Sequence, residues 1–330
     1  MTNLKIIWKR SLGEDILDIA LARAVHNVVI GSREGKIHCL DKIGKILWIS
    51  KPGGEIKGVS TSKNSKPTFS VSSKGKIHSY DKEGMLIWEY ETQDSLSCIA
   101  YSEKGKKIIC GSLEGKLYNL SKEKDILWTF DLANKIENVG ITNEGDFAFA
   151  QTMDNVIHCL DSLGEQVWEK KFNGKIMDFA VSQKGELIAL GCEVSKVYAY
   201  DKDGNSKWEK DLEMKILALD ISEKTRDIVA STVDNVIICL NEEGEEQWKQ
   251  ETDEAGQKLA TSRDGKSFVL STASGSIISM ESLEEDVEVF YEILCRGDSK
   301  CGTFVSAVYT AVCPRCGSDR NVVRIIKEKL

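Results

Sequence analysis

Seven tryptophans, Trp8, Trp48, Trp88, Trp128, Trp168, Trp208 and Trp248, stand 40 residues apart with no insertion or deletion between the first and the last. A fixed period of this size is the mark of a repeat architecture. The other columns keep the same register. Gly31-Ser32-Arg33-Glu34-Gly35-Lys36-Ile37-His38-Cys39-Leu40-Asp41 aligns with Gly111–Leu120 and with Gly191–Asp201. Each block divides into four short apolar runs separated by turn-forming residues. In the block from residue 91 the expected strands are 95–100, 107–111, 115–120 and 125–130. Four strands per repeat, repeated around a ring, select an all-β propeller, whose blades are four-stranded sheets.

The two ends of the array set the blade number. Seven blocks fit between residues 11 and 290, but the last carries Glu288 where a tryptophan is due. The surplus Trp8 sits in Leu4-Lys5-Ile6-Ile7-Trp8-Lys9, with no preceding strands. The N-terminal strand is therefore expected to supply the outer strand of a seventh blade, so that the ring closes on itself.

The pattern Gly31-Ser32 through Glu34-Gly35-Lys36-Ile37-His38-Cys39-Leu40-Asp41, then Gly44-Lys45 and Trp48, resembles the blade repeat of pyrroloquinoline-quinone (PQQ)-type propellers. The resemblance runs over about residues 4–280. It implies a Gly…Trp docking motif packing blade on blade, with all seven tryptophans in that role. Lys124 stands where the docking glycine belongs in one blade, and the last blade lacks both elements. WD repeats, which place a tryptophan directly before an aspartate, fit less well, because Leu40, Tyr80 and Leu160 hold that place. Each indole would bury ~150–250 Å². At ~25 cal/mol per Å² this amounts to several kcal/mol per blade contact, as an upper bound.

Composition divides the chain in two, a propeller over 1–283 and a small module over 287–330. The net charge is −8, yet Cys295–Leu330 carries seven Lys/Arg against three Asp/Glu, +4, which leaves −12 for the rest. The overall charge argues against a general nucleic-acid-binding surface. Six of the ten cysteines are scattered singly through the blades: Cys39, Cys98, Cys110, Cys159, Cys192 and Cys239. Cys39, Cys159 and Cys239 share a column with Ser79, Asn119, Ala199 and Ser279, a slot for small residues. Reduced, buried thiols point to the cytoplasm. The first residues show no secretory pattern, and no run of 18 apolar residues exists. No membrane association is expected.

The other four cysteines cluster as Cys295-x5-Cys301-Gly302 and Cys313-Pro314-Arg315-Cys316-Gly317. The second pair is a Cys-x-x-Cys-Gly knuckle, and the segment 303–312 between the pairs is β-rich. This arrangement resembles a zinc ribbon, which implies a structural Zn²⁺ held by Cys295, Cys301, Cys313 and Cys316 with no open coordination position. Iron or a Cys313/Cys316 redox pair are alternatives.

Three further constellations stand out. His38, His78 and His158 fall in one column with Tyr118 and Tyr198, and are read as packing residues. Lys135, Lys175 and Lys215 share a column with Asp15 and Glu55 at the start of the innermost strands. They would form a cationic arc near one mouth of the channel, either solvated or docking an anion or acidic partner. The charged turns 102–106, 182–186 and 262–266 read as solubilising hairpins. No phosphate loop, nucleophile elbow or RNA-binding aromatic signature is present.

These features point to a non-catalytic protein–protein interaction scaffold. A nucleic-acid-linked factor using the basic tail (Lys300, Arg315, Arg320, Arg324, Lys327, Lys329) is the alternative. A quinone-dependent dehydrogenase is disfavoured: those enzymes are larger eight-bladed rings with calcium and an adjacent-cysteine disulfide, so no PQQ is expected.

Overall fold

The computed structural model describes residues 3–283, 291–295, 304–307 and 321–325. Two compact units are distinguished, Leu4–Ser282 and a second that comprises 283–330 with the first three residues. The first is a seven-bladed β-propeller. Its innermost strands are Ile16–Ala22, Ile56–Thr61, Leu96–Ser102, Ile136–Ile141, Ile176–Val181, Ile216–Ile221 and Gly256–Thr261. Each opens a four-stranded antiparallel meander. In the third blade the strands are Leu96–Ser102, Lys107–Ser112, Lys116–Ser121 and Ile126–Asp131, within a residue or two of the sequence expectation.

The seventh blade is closed by the N-terminal strand. Asn3–Ser11 pairs with Ser276–Leu283 as the outer strand of that sheet. Leu4 packs into the cluster of Phe268, Leu270, Ile278 and Met280, and its N–H donates to Gln250 Oε1 at 2.7 Å.

Blade-on-blade docking uses the repeated indole. A Cβ added at Gly44, Gly84, Gly164, Gly204 or Gly244 would meet the preceding blade's tryptophan at 2.8, 2.4, 2.7, 3.2 and 2.8 Å. All five glycines also have φ between +77° and +85°, a second reason for glycine there. Five indoles donate Nε1–H to a backbone carbonyl of the next blade: Trp8 to Lys42, Trp88 to Lys122, Trp128 to Ser162, Trp168 to Lys202 and Trp208 to Glu242, at 2.7–3.2 Å. Trp48 is buried, stacks with Tyr80 and finds no partner for its Nε1 among the described residues. Trp248 stacks on Phe268.

The small-residue column has a direct explanation. Cys39, Ser79, Asn119, Cys159, Ala199 and Cys239 each pair across the sheet with the tryptophan of the same blade. A larger side chain there would compete with the indole for space.

Lys124 occupies the docking turn of the third blade at φ 71°, and Trp88 keeps its bond to Lys122 O. A non-glycine residue in this region carries a conformational cost of ~1–2 kcal/mol. Lys124→Gly should therefore raise the unfolding free energy by about 0.5–1 kcal/mol. Urea denaturation followed by tryptophan fluorescence measures it, and an unchanged midpoint would show that the turn is unstrained.

In the second unit, Tyr291–Cys295 is the middle strand of a three-stranded antiparallel sheet, flanked by Phe304–Ala307 and Asn321–Ile325. Within the β-rich segment 303–312, residues 304–307 form a strand. It pairs with 291–295. Cys295 ends the middle strand opposite Asn321. Cys301, Cys313 and Cys316 lie outside the described residues, as does the basic cluster of the tail apart from Arg324.

Candidate functional site

Every innermost strand carries a β-bulge after its first residue. Bulges re-aim side chains. Here the third position of the strand is Asp18, Gly58, Cys98, Asn138, Asp178, Ala218 and Lys258 around the ring. Asp18, Asn138, Asp178 and Lys258 line a central cavity of about 320 Å³.

The two carboxylates of this ring bind backbone amides across blade boundaries. Asp18 accepts from Ile19 N–H and, through Oδ2 at 2.8 Å, from Val59 N–H of the next blade. Asp178 accepts from Phe179 N–H, from Leu219 N–H of the next blade at 3.1 Å, and from Asn138 Nδ2 of the preceding blade at 2.7 Å. Asp220, two residues further along its strand, repeats the device. It accepts from Thr261 N–H and Oγ1 and from Arg23, which reaches it from the first blade. All three amide bonds span 41 residues, one repeat plus one. The channel carboxylates are latches between sheets.

Lys258 faces both acids, and among the described residues nothing hydrogen-bonds its ammonium. Burial alone would lower it, but the carboxylates of Asp178 and Asp18 hold its pKa above the ordinary lysine value. Burial raises Asp18 as well, against the pull of Lys258 and the amides of Val59 and Ile19. Burial pushes Asp178 up to about 6, opposed by Lys258 and the amides of Leu219 and Phe179. Its folded pKa lies above the unfolded one, so the native state holds the extra proton between about pH 4 and 6. The stability this group contributes therefore falls as pH rises through that window. The unfolding free energy of the wild type minus that of Asp178→Asn should drop by roughly 2–3 kcal/mol from pH 4 to pH 7, as ~1.4 kcal/mol per pKa unit implies. Urea titrations of both proteins across this range measure it; a rising difference would overturn the assignment.

The lysines singled out by the sequence each stand immediately before an innermost strand, three residues ahead of the channel-ring position. Lys135 pairs with Glu137 at 3.2 Å, Lys215 pairs with Glu193, and Lys175 is exposed. Lys215, first by its hydrogen bond and then by its charge, and Lys175 by charge, hold Glu193 below the usual carboxylate range. Across the ring Asp15 pairs with Arg33 at 2.6 Å and Glu55 pairs with Lys57 at 2.5 Å. Much of the expected cationic arc is thus neutralised locally, and none of its lysines lines the central cavity.

The turns read as solubilising hairpins join neighbouring blades. Ser102 Oγ donates to Asn143 O at 2.6 Å, and Lys104 N–H and Gly105 N–H donate to the same carbonyl. Asn143 N–H donates to Gln183 O, Ala24 N–H to Lys63 O, and Lys224 N–H to Arg263 O. Charge keeps the turn tips in water while their backbone is shared between sheets.

The histidine column packs as expected. His38 Nε2 lies 3.1 Å from Glu14 Oε2, His78 Nε2 lies 3.1 Å from Glu89 Oε2, and His158 Nδ1 lies 3.3 Å from Gln166 Oε1. Burial, partly offset by Glu89, lowers the pKa of His78. The six blade cysteines are buried and free, and among the described residues no cluster of His, Cys, Asp and Glu could hold a metal ion.

The perimeter, by contrast, is uneven. At one exposed position of the outer strands the residues are Ile7, Leu47, Ile87, Leu127 and Val167 on five successive blades, the seventh through the fourth. Lys207 and Gln247 hold it on the fifth and sixth. Ile6, Ile43, Ile49, Met85, Leu86, Ile126 and Leu163 extend the apolar sector. Exposure in this sector runs from 39% for Ile126 up to 67% for Met85 and 74% for Leu163. This sector is not legible in the sequence, because single apolar residues in an edge strand look like core until the ring shows which way they face.

Three overlapping stretches of the chain, residues 5–123, 73–235 and 154–285, match the PQQ-repeat family described as outer membrane protein assembly factor BamB. The chain belongs to this PQQ-repeat family. Each match covers several blades of the PQQ-repeat ring, and together they span it from the N-terminal strand to the end of the seventh blade. No curated protein matches the chain.

Proposed function

We propose that this PQQ-repeat propeller is a non-catalytic scaffold that binds other proteins through one sector of its perimeter. The observation that carries this reading is the sidedness of the outer strands, apolar on five consecutive blades and polar on two. Large exposed apolar areas on a soluble domain mark contact surfaces. The family description, an assembly factor, agrees with a protein that works by holding others together. The channel supports a non-catalytic role, since its carboxylates are engaged by backbone amides rather than directed at a substrate. Six buried free thiols support a reducing, cytoplasmic setting.

Cross-linking of the native full-length protein, followed by mass spectrometry, tests the reading. Inter-protein cross-links should concentrate on Lys42, Lys45, Lys82 and Lys122 of the apolar sector and avoid Lys207 and Lys249. A lone monomer with only internal cross-links would overturn it.

For the tail we propose a structural Zn²⁺ held by Cys295, Cys301, Cys313 and Cys316, which supplies folding energy to a module too small for a large core. Elemental analysis should find about one zinc per chain, in line with the single four-cysteine set. Cys313→Ser/Cys316→Ser should abolish it and leave the propeller's unfolding transition in place.

A further inference from the structure

The seventh and first blades meet at a second cavity, of about 450 Å³. Its apolar lining is Ile7, Leu21, Ile43 and Val269, with Lys42 and Glu281 among its polar residues. Ile7 belongs to the strand Asn3–Ser11, the outermost of its sheet and, at nine residues, the longest outer strand of the ring. Apart from the Leu4 N–H held by Gln250, this edge has no strand partner among the described residues, and such an edge presents backbone donors and acceptors. The same sector is basic. Lys5, Lys9 and Arg10 on this strand, with Lys42, Lys45 and Lys51 around the outer strand of the first blade, share these two stretches with one acid, Asp41, while Glu281 of the neighbouring strand lines the cavity. Lys9 is paired with Glu254, and Arg10 donates to Gly44 O. Lys5, Lys42, Lys45 and Lys51 are exposed and form no ion pair among the described residues. The equivalent stretch of the sixth blade, 241–251, reverses the sign, with Glu242, Glu243, Glu245, Glu246 and Glu251 against Lys249.

We infer that an extended, acidic and apolar segment of a protein partner adds to the outer edge of Asn3–Ser11 as a fifth strand of the seventh blade and seats an apolar side chain in the cavity between Ile7 and Ile43. Strand addition takes its affinity from main-chain hydrogen bonds and its specificity from pockets for alternate side chains. This edge supplies both, together with a positive surround that steers an acidic segment in a chain of net charge −8. A lipid surface would use the charge and the apolar residues but not the sheet edge. The inference rests on the scaffold reading and names its site.

The test uses the full chain and a fluorescent nine-residue peptide of alternating valine and glutamate, with anisotropy as the readout. Saturable, salt-sensitive binding is expected, weakened about tenfold or more by Ile7→Asp, Ile43→Asp or Lys45→Glu, a change of ~1.4 kcal/mol or more. Gln247→Asp on the sixth blade should bind as the wild type does. Circular dichroism and the urea midpoint check that these exposed substitutions leave the ring folded. A peptide N-methylated at alternate amides cannot extend a sheet and should not bind. Equal binding of the methylated peptide, or indifference to all three substitutions, overturns the inference. So does binding to vesicles containing phosphatidylglycerol without binding to the peptide, or a dimer in sedimentation that Ile7→Asp dissolves. If the peptide fails while native cross-links still map to other blades of the sector, this site falls and the scaffold stands.

Discussion

A chain that starts at residue 12 is expected to lose about 5 kcal/mol or more of unfolding free energy, a large part of a typical domain's total. The first eleven residues provide the outer strand of the seventh blade, and their removal uncovers Phe268 and Met280 at one side and Gly44 at the other. Trp8 also brings its bond to Lys42 O, and Lys9 its ion pair with Glu254 at 2.7 Å. That pair, with Ser274 and Thr272, holds Glu254 down at about 2. These contacts join residues from 34 positions apart, Trp8 and Lys42, to 276 apart, Leu4 and Met280, so no local structure replaces them. The trimmed ring should unfold at markedly lower urea and without a single cooperative transition. A synthetic peptide of residues 1–12 added in trans should restore the midpoint in a concentration-dependent way, as any ligand of the native state does. An unshifted midpoint in the trimmed chain would show that the ring is held shut elsewhere.

The closure was legible because the sequence carries one tryptophan too many at its start and one too few at its end. Strand positions followed from the same forty-residue register, because a blade needs its turns and its indole at fixed places whatever else it does. The channel latches were not legible for the converse reason. The ring position that holds Asp18, Asn138, Asp178 and Lys258 also holds Gly58, Cys98 and Ala218, so no residue type recurs to mark it. Lys135, Lys175 and Lys215 stand out in the sequence because they repeat, yet Lys135 and Lys215 are ion-paired within the ring. In a repeat protein, recurrence identifies what every blade requires of its neighbour. What distinguishes one sector from another lies in columns that vary, such as Leu47, Ile87, Leu127 and Val167 against Lys207 and Gln247.

The docking glycines allow that rule to be graded by distance. Gly84 is the tightest of them: an added Cβ would lie 2.4 Å from Trp48 Cδ2, at φ +79°. Gly204, at φ +80°, would place its Cβ 3.2 Å from Trp168. Both alanine variants incur the left-handed cost of ~1–2 kcal/mol, but only Gly84→Ala must also displace a buried indole, which adds ~1–3 kcal/mol. Gly84→Ala should therefore cost about 2–5 kcal/mol and Gly204→Ala nearer 1–2 kcal/mol, both read from urea midpoints at constant slope. Trp48 cannot move freely, since it stacks on Tyr80 at 6.0 Å and is buried between its blade and the next. Combining Gly84→Ala with Trp48→Leu should recover part of the loss, a coupling that residues in direct contact show and distant ones do not. Equal costs at Gly84 and Gly204, or strict additivity in the double variant, would mean that backbone conformation alone demands the glycine and that the indole contact adds nothing to the joint between blades.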